Sequence, residues 1–141
     1  MQEDYLRELG QEAHRIAVEK GWYDCKECRG SGNSPAPAPC GVCAGTGRKA
    51  RDLPTALMMM VSEICEALET YRDGYEPKHW GWFKECEKTS PKPEGFPMEM
   101  ADAIIRIVET CNFYGVDLDE AVRVKMEYNK TRPYRHGDKA C

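Results

Sequence analysis

The sequence lacks any long hydrophobic run, and this absence limits the classes of protein to be considered. No segment approaches the roughly 18 uninterrupted apolar residues of a membrane-spanning helix. The first residues, Met1-Gln2-Glu3-Asp4, are polar and acidic and have none of the character of a signal peptide. We therefore expect no membrane partner and a cytoplasmic location.

The chain also lacks a surplus of positive charge. Its 141 residues carry 20 Lys and Arg against 24 Asp and Glu, a formal net charge of −4. A protein that covers a nucleic-acid backbone needs general positive charge, so nucleic acid is not the expected partner. The length suits one well-buried core, and we predict a single domain over residues 1–141.

Cysteine is abundant, with eight residues in a chain expected to lie in a reducing compartment, where disulfides are rare. Two copies of the pattern C-x-x-C-x-G-x-G begin at Cys25 and Cys40. Two such turns can complete a tetrahedral zinc site, and the glycines let the backbone fold round the sulfurs. The predicted Zn2+ ligands are Cys25, Cys28, Cys40 and Cys43. A disulfide pair or reactive thiols are the alternatives, and four cysteine ligands would make the zinc structural because they leave no position for water.

This repeat resembles the zinc repeats of DnaJ-type chaperones, and the resemblance covers these two units only. Glycine, proline and cysteine dominate residues 23–51, where helical periodicity disappears. We predict a zinc-binding insertion over residues 23–51. The remaining cysteines are scattered singly, and Cys65 and Cys111 are interpreted as small buried hydrophobic residues.

Helical periodicity occupies most of the remaining chain, so the predicted fold class is all-α. Caps and stops set the predicted bounds of four helices: up to residue 20, 54–72, 97–114 and 117–133. Between the second and third helices we expect a loop, with one short helix over residues 80–87.

Helices two and three each carry an apolar stripe. The stripe of helix two comprises Leu57, Val61, Ile64, Leu68 and Tyr71, and the core stripe of helix three comprises Met100, Ile104, Ile107, Val108 and Cys111. The opposite side of helix three carries Glu99, Asp102, Arg106 and Glu109. Residues 56–61 are apolar all round, which predicts burial on every side.

Two pairs of carboxylates stand three residues apart, Glu63 with Glu66 and Glu99 with Asp102. Residues at this spacing are neighbours on one helix face, so each pair can present its oxygens to a single point. A solvated charged face is the commonest explanation of paired glutamates. Against it, the face of Glu63 and Glu66 carries no Lys or Arg before Arg72, and the approach to it is apolar.

Four carboxylates brought together would repel one another unless a cation neutralised them. A hard divalent ion with oxygen ligands is the natural choice, Mg2+ first and Mn2+ second. Such a site could activate water for attack on phosphorus. Donors for the remaining charge of a polyphosphate are available in a basic C-terminal cluster that includes Lys125, Asn129, Arg132, Arg135 and His136. The alternative is that the acidic faces are simply exposed to water.

These motifs together resemble the MazG-like all-α nucleoside triphosphate pyrophosphohydrolases, which are related to dimeric dUTPases. The resemblance rests on Glu63-x-x-Glu66, Glu99-x-x-Asp102 and Lys125-x-x-x-Asn129-x-x-Arg132, and it extends from helix one to the tail that contains Arg135 and His136. It covers most of the chain outside the cysteine-rich insertion, which the family pattern lacks.

The resemblance implies a four-helix MazG-like bundle that hydrolyses a (d)NTP to (d)NMP and pyrophosphate in nucleotide-pool housekeeping. It makes Glu63, Glu66, Glu99 and Asp102 the catalytic Mg2+ ligands, one helix-two glutamate being also a candidate water activator. It also assigns substrate binding to Lys125, Asn129, Arg132, Arg135, His136, His14 and Trp22, the last two at the base. A homodimer or homotetramer is implied, so one active site can need two subunits.

The rival interpretation is a non-catalytic zinc-binding adaptor. In that case the cysteine-rich insertion would contact a protein or nucleic acid, and the helices would only oligomerise. Arg29, Arg48, Lys49 and Arg51 make the insertion locally basic, which permits nucleic-acid contact, although the acidic chain as a whole disfavours it.

Overall fold

The computed structural model describes residues 4–34, 38–49, 52–83 and 90–133. These residues form four helices, α1 (Tyr5–Glu19), α2 (Leu53–Arg72), α3 (Phe96–Phe113) and α4 (Leu118–Lys130), and two short strands, β1 (Gly81–Phe83) and β2 (Lys92–Glu94). The prediction of a mostly helical chain is confirmed. Among the described residues, no helix combines the length and the apolar character needed to cross a membrane.

The helix ends follow from local hydrogen bonds. The carboxylate of Asp52 caps α2 by accepting a hydrogen bond from the backbone N–H of Thr55 at 3.0 Å. Asp117 caps α4 in the same way through the N–H of Glu120, also at 3.0 Å. A proline in the first turn of both α2 and α3 suits a position where no N–H is needed. These signals explain why the predicted bounds lie close to the observed ones.

Helix α3 is the centre of the fold because it packs against both α1 and α2. Gly10 makes the approach of α1 possible: a Cβ there would lie 2.6 Å from the carbonyl oxygen of Val108. Helix α4 packs chiefly against α1. The carboxylate of Asp119 joins them by accepting hydrogen bonds from the N–H groups of Leu6 and Arg7, at 3.1 and 2.8 Å.

The connection between α2 and α3 contains a hairpin instead of the expected short helix. Strands β1 and β2 pair antiparallel, with Gly81 opposite Glu94 and Phe83 opposite Lys92. The prediction of a helix over residues 80–87 is therefore wrong at 81–83, and residues 84–89 lie outside the described part. The consecutive aromatic residues Trp82 and Phe83 favour an extended backbone, which explains the difference.

The orientation of α2 reverses the usual relation between apolar and acidic faces. Its apolar stripe, from Leu57 to Tyr71, is between 47% and 57% exposed, whereas Glu63 is only 4% exposed. The other buried residue of α2 is a small one, Ala67, which is 2% exposed. Within one chain, α2 thus turns its carboxylate side toward α3 and its apolar stripe outward.

Several burial predictions fail for the same reason. Met58 and Met59 are exposed, so the expectation that residues 56–61 are buried on every side is wrong for the single chain. Cys65 is exposed and Cys111 is half-buried, so the interpretation of Cys65 as a buried residue is also wrong. On α3, Val108 is buried as predicted, but Ile104 and Ile107 are exposed. The apolar stripe of α3 thus faces away from the acidic residues at Ile104 and Ile107, and nothing in the described chain covers these two side chains.

Candidate metal centres and the adjoining cavity

Three of the four predicted carboxylates meet between α2 and α3. Oxygens of Glu63, Glu99 and Asp102 all lie within 4.8 Å of one another, and Glu63 and Glu99 are buried. Glu66 lies outside this group of three. It is exposed, and its Oε1 accepts a hydrogen bond from the Ser62 hydroxyl at 3.3 Å. The two motifs thus meet at one point between the helices, and Glu66 lies at the edge of the group of three carboxylates.

Glu99 is the most unusual member of this carboxylate group. Its Oε2 is buried and has no hydrogen-bond partner among the described residues. Burial raises the pKa of Glu99, and the carboxylates of Glu66, Asp102 and Glu63 raise it further, against a lowering by Lys92. An unsatisfied buried oxygen among like charges is a costly arrangement that a cation would relieve. The donors are all carboxylate oxygens, which suit Mg2+ or Mn2+.

Among the described residues, Arg106 is the basic residue that touches the carboxylate group. Arg106 Nε donates a hydrogen bond to Glu63 Oε1 at 2.6 Å, joining α3 to α2. Its side chain is about a third exposed, whereas Glu63 is almost fully buried. Arg106 therefore supplies part of the neutralising charge inside the protein.

The four cysteines of the two repeats also meet at one point. Cys25 Sγ lies 3.9 Å from Cys40 Sγ, and Cys28 Sγ lies 3.7 Å from Cys43 Sγ. A tetrahedral zinc site with Zn–S bonds of about 2.3 Å separates its sulfurs by about 3.8 Å. The sulfurs are too far apart for disulfides, whose S–S bond is about 2.05 Å. The four cysteines could therefore bind zinc.

Hydrogen bonds prepare the thiols for a metal. The N–H groups of Gly32 and Gly47 each point to a sulfur, of Cys28 and Cys43 respectively, at 3.3 Å. Burial raises the pKa of Cys43, but the hydrogen bond from Gly47 and those from the neighbouring cysteines outweigh it and lower the pKa to about 6. A lowered pKa favours the thiolate, which is the form that binds metal.

The two repeats pack against each other as near-equivalent units. Gly32 and Gly47 have φ of +74° and +72°, and a Cβ on either would lie 2.4 or 2.3 Å from the carbonyl oxygen of Gly45 or Gly30 of the opposite unit. The two units also exchange backbone hydrogen bonds of 2.8 Å, from Cys25 to Gly47 and from Cys40 to Gly32. The repeated glycines are thus required by contact between the repeats.

A buried network joins this four-cysteine module to the helices. The carboxylate of Glu109 on α3 accepts hydrogen bonds from His14 Nδ1, at 3.0 Å, and from the hydroxyl of Tyr23. The Tyr23 ring also stacks on Phe113 with 5.5 Å between centroids. Since a carboxylate only accepts, His14 carries its proton on Nδ1. Tyr23, two residues before Cys25, thereby anchors the module to α3.

A cavity of about 590 Å³ opens beside the carboxylate group. Its apolar surface comes from α1, the start of α2 and α3, and includes Ala17, Met59 and Ile105. Asp102 and Arg106 line the cavity next to the carboxylate group, and Trp22 and Lys49 line it next to the four-cysteine module. This volume is in the range of about 300–1,000 Å³ that is typical of small-molecule sites.

Not all of the predicted substrate residues lie at the cavity. Trp22 lines the cavity and is 74% exposed, but His14 is not among the lining residues. Lys125 on α4 and Arg132, two residues beyond its end, lie over the ring of Tyr128, at 5.3 and 6.0 Å from its centroid. Lys125, Asn129 and Arg132 do not line the cavity. Arg135 and His136 lie outside the described residues.

The sequence interpretation assigned no role to several residues that the site includes. Arg106 and Glu109 follow Glu99 and Asp102 at spacings of three and four, so they share one helix face, and that periodicity was a usable signal. Tyr23, Lys49 and Asp52 had no such signal, because their positions depend on how the four-cysteine module folds back on the helices.

Comparisons of the chain with protein-family models, with curated proteins and with solved structures gave no match.

Proposed function

We propose that this chain is a Mg2+-dependent nucleoside triphosphate pyrophosphohydrolase that cleaves a (d)NTP to (d)NMP and pyrophosphate, a reaction that serves nucleotide-pool housekeeping. The observation that carries the proposal is the group of Glu63, Glu99 and Asp102, of which the two glutamates are buried and one Glu99 oxygen is unsatisfied, beside a nucleoside-sized cavity that Asp102 lines. The resemblance of the paired acidic motifs to MazG-like enzymes supports it, and a MazG-like bundle is the fold we propose.

The carboxylates have separate roles in this proposal. Glu63, Glu99 and Asp102 hold the cation. Bound Mg2+ supplies charge neutralisation at the phosphates and makes water a better nucleophile. Glu66 is exposed beside this group, so it can accept the proton of a water that attacks phosphorus. The bond between the α and β phosphates then breaks, and pyrophosphate leaves.

Arg106 is suited to the phosphates in the same site. Its guanidinium touches Glu63 and also lines the cavity, so it stands between the carboxylates and the space for the nucleoside. A guanidinium can bind phosphate oxygens through two parallel hydrogen bonds. A cation held there would neutralise Glu63 and would leave Arg106 free to bind the substrate phosphates.

A second copy of the chain completes the proposed enzyme. The outward stripe of α2 includes Leu57, Val61, Ile64 and Leu68, spaced four, three and four residues apart, which is the spacing of a helix-pairing seam. In a two-fold dimer such a stripe can pair with itself. Lys125, Asn129 and Arg132 do not line their own chain's cavity, and the partner's α4 would then supply these phosphate donors. A homotetramer would repeat the same contacts.

Zinc at the four cysteines is proposed to be structural. Cys25, Cys28, Cys40 and Cys43 would fill the tetrahedral sphere and leave no position for water or substrate. The metal would hold together a segment with little other burial: among its described residues, those buried besides Cys25, Cys40 and Cys43 are Tyr23, Gly32 and Gly47.

The test is hydrolysis measured by product. The purified chain is incubated with each common NTP and dNTP plus Mg2+, and pyrophosphate is quantified against orthophosphate. We expect pyrophosphate and a nucleoside monophosphate in equal amounts. Glu63→Gln and Asp102→Asn should each lower kcat by at least about a hundredfold, because each removes a charged oxygen from the cation.

A matched control is Glu127→Gln, which neutralises an exposed glutamate on α4 that pairs with Lys130. It should leave turnover unchanged. No turnover of any nucleotide, or full turnover in Glu63→Gln, would remove the hydrolase proposal and favour the zinc-binding adaptor, which contacts a protein or nucleic acid.

A further inference from the structure

The four-cysteine module forms one wall of the cavity beside the carboxylates. Trp22 and Tyr23 lie where the chain enters the module, and Lys49 lies where the chain leaves it. All three residues line the cavity. The N–H of Lys49 donates to the carbonyl oxygen of Tyr23 at 2.8 Å. Asp24 and Arg48 pair as neighbours in the same short ladder. The position of Lys49 is therefore set by the backbone pairing that closes the cysteine cluster.

This wall is fixed to the helices on its inner side. Tyr23 is buried, bonds to Glu109 and stacks on Phe113, so the module edge cannot move independently of α3. Asp102 and Arg106 lie on the same helix, and they line the cavity as well. A ligand with phosphates at the carboxylates would place its remaining part against the module wall.

Two opposite charges stand together on that wall. Lys49 and Asp52 both line the cavity. The Thr55 hydroxyl and N–H lower the pKa of Asp52 through hydrogen bonds, and the charge of Lys49 lowers it further, so Asp52 is an anion near a cation. Asp52 uses Oδ2 for the cap on α2. A carboxylate has two oxygens that can accept several hydrogen bonds, so capping does not exhaust its capacity.

The pair presents a donor beside an acceptor to whatever occupies the cavity. Lys49 can only donate and Asp52 can only accept. The matching edge has a carbonyl oxygen next to a ring N–H, which is the lactam group of guanine, hypoxanthine, uracil and thymine. Adenine and cytosine present the reverse order, with an amino group where the lactam has its carbonyl oxygen and an unprotonated ring nitrogen where it has its N–H. For a base held in the same position, the amino donor would face Lys49 and the ring lone pair would face the Asp52 carboxylate.

We propose that Lys49 and Asp52 select nucleotides with a lactam base, Lys49 donating to the carbonyl oxygen and Asp52 accepting from the adjacent ring N–H. This inference rests on the proposed function in treating the substrate as a nucleotide. It makes the four-cysteine module the element that determines the base, although no cysteine touches the substrate. Discrimination comes from both the hydrogen bonds gained and the repulsion of the wrong edge.

The test measures binding separately from hydrolysis. GMP, UMP, AMP and CMP are titrated calorimetrically into the full chain, purified with its metal, and kcat/KM is measured for the four NTPs. We expect GMP and UMP to bind at least about tenfold more tightly than AMP and CMP, since a hydrogen bond to a charged group contributes strongly.

Asp52→Asn is the discriminating variant. Asparagine is as good an N-cap as aspartate, so α2 should be preserved. Its amide can donate to a ring nitrogen, so the preference for lactam bases should fall to less than threefold. Lys49→Ala should also weaken the preference, and Lys26→Ala, an exposed lysine of the module that does not line the cavity, should not.

The outcomes separate the two proposals. Equal binding of all four nucleotides, or a preference untouched by Asp52→Asn, overturns the base assignment even if hydrolysis occurs. A preference that disappears in Asp52→Asn supports it even if no nucleotide is hydrolysed, in which case only the hydrolase proposal fails. Absence of NMP binding together with equal kcat/KM for the four NTPs overturns the base assignment alone, and absence of both NMP binding and NTP turnover overturns both proposals.

Discussion

Arg106 and Glu63 form an ion pair between α3 and α2, with 2.6 Å between Nε and Oε1. Glu63 is one of the buried carboxylates that can hold a cation, and Arg106 is the basic residue that reaches it. The same face therefore contains a neutralising charge for the protein alone and the ligands for a metal. This arrangement explains how like charges can be buried together before a cation binds.

Removal of Arg106 should make the chain depend more strongly on divalent cations. Arg106→Ala leaves Glu63 buried beside Glu99 without its partner, so the free energy of unfolding in EDTA should fall by about 1–3 kcal/mol. Added Mg2+ should then stabilise the variant more than it stabilises wild type. Urea denaturation with and without Mg2+ measures both. Arg123→Ala removes an exposed pair with Glu120 and should change neither quantity, and equal Mg2+ effects in Arg106→Ala and wild type would contradict the prediction.

Glu99 should give the metal-free chain an unusual pH dependence. Its pKa is raised above the ordinary 4.5 by burial and by the neighbouring carboxylates. The folded chain therefore keeps a proton that the unfolded chain has released, so this contribution to stability is present below about pH 4.5 and lost as pH rises through the raised pKa.

The comparison that isolates this effect is wild type against Glu99→Gln in EDTA. The glutamine variant should be the more stable chain at pH 7, and its advantage should shrink as pH falls toward 4.5. Thermal unfolding over pH 4.5–7.5 gives the difference, and a constant advantage across that range would argue against a proton on Glu99. The variant should also lose stabilisation by Mg2+.

The glycines between the two cysteine repeats offer a matched pair of substitutions. Gly47→Ala should disrupt the module, because a Cβ there would lie 2.3 Å from the carbonyl oxygen of Gly30 and φ is +72°. Gly41→Ala meets nothing within 4 Å and should be tolerated. Metal content per chain, measured on dialysed protein, should fall well below one zinc in Gly47→Ala and stay near one in Gly41→Ala. Similar zinc content in both would show that contact between the repeats is not needed for the metal.

The predictability of this chain differed between local and tertiary features. Helix ends were predictable because Pro54, Asp117 and the stop at Gly115 act through residues next to them in sequence. The cysteine cluster was predictable from its repeated spacing. Glu63, Glu99 and Asp102 were predictable as members of two i, i+3 pairs, whose fourth member, Glu66, lies outside the observed group. Their meeting required helix packing that no local signal encodes.

The orientation of α2 could not be obtained from the same reasoning. Amphipathicity tells which residues share a face, but it does not tell whether the apolar face meets its own chain or another. Leu57 to Tyr71 was a good apolar stripe, yet Glu63 is the buried residue. The positions of Lys49 and Asp52 could not be predicted from the sequence either, because a loop closed by a metal has no periodicity from which its contacts can be inferred.

The outward stripe of α2 leads to the last prediction, which concerns assembly. Val61 and Leu68 are 50% and 52% exposed in the single chain, and leaving such a stripe in water is unfavourable. Leu68→Lys should therefore convert the proposed homodimer or homotetramer to a smaller species, seen as a lower mass in light scattering coupled to size exclusion. The control is Val42→Lys, at an even more exposed apolar residue within the four-cysteine module. If the phosphate donors come from the partner's α4, the Leu68→Lys chain should retain Mg2+-dependent stabilisation by Glu63, Glu99 and Asp102 but lose turnover. A wild-type chain that is monomeric at all concentrations would refute the paired stripe and require Lys125, Asn129 and Arg132 to act in some other way.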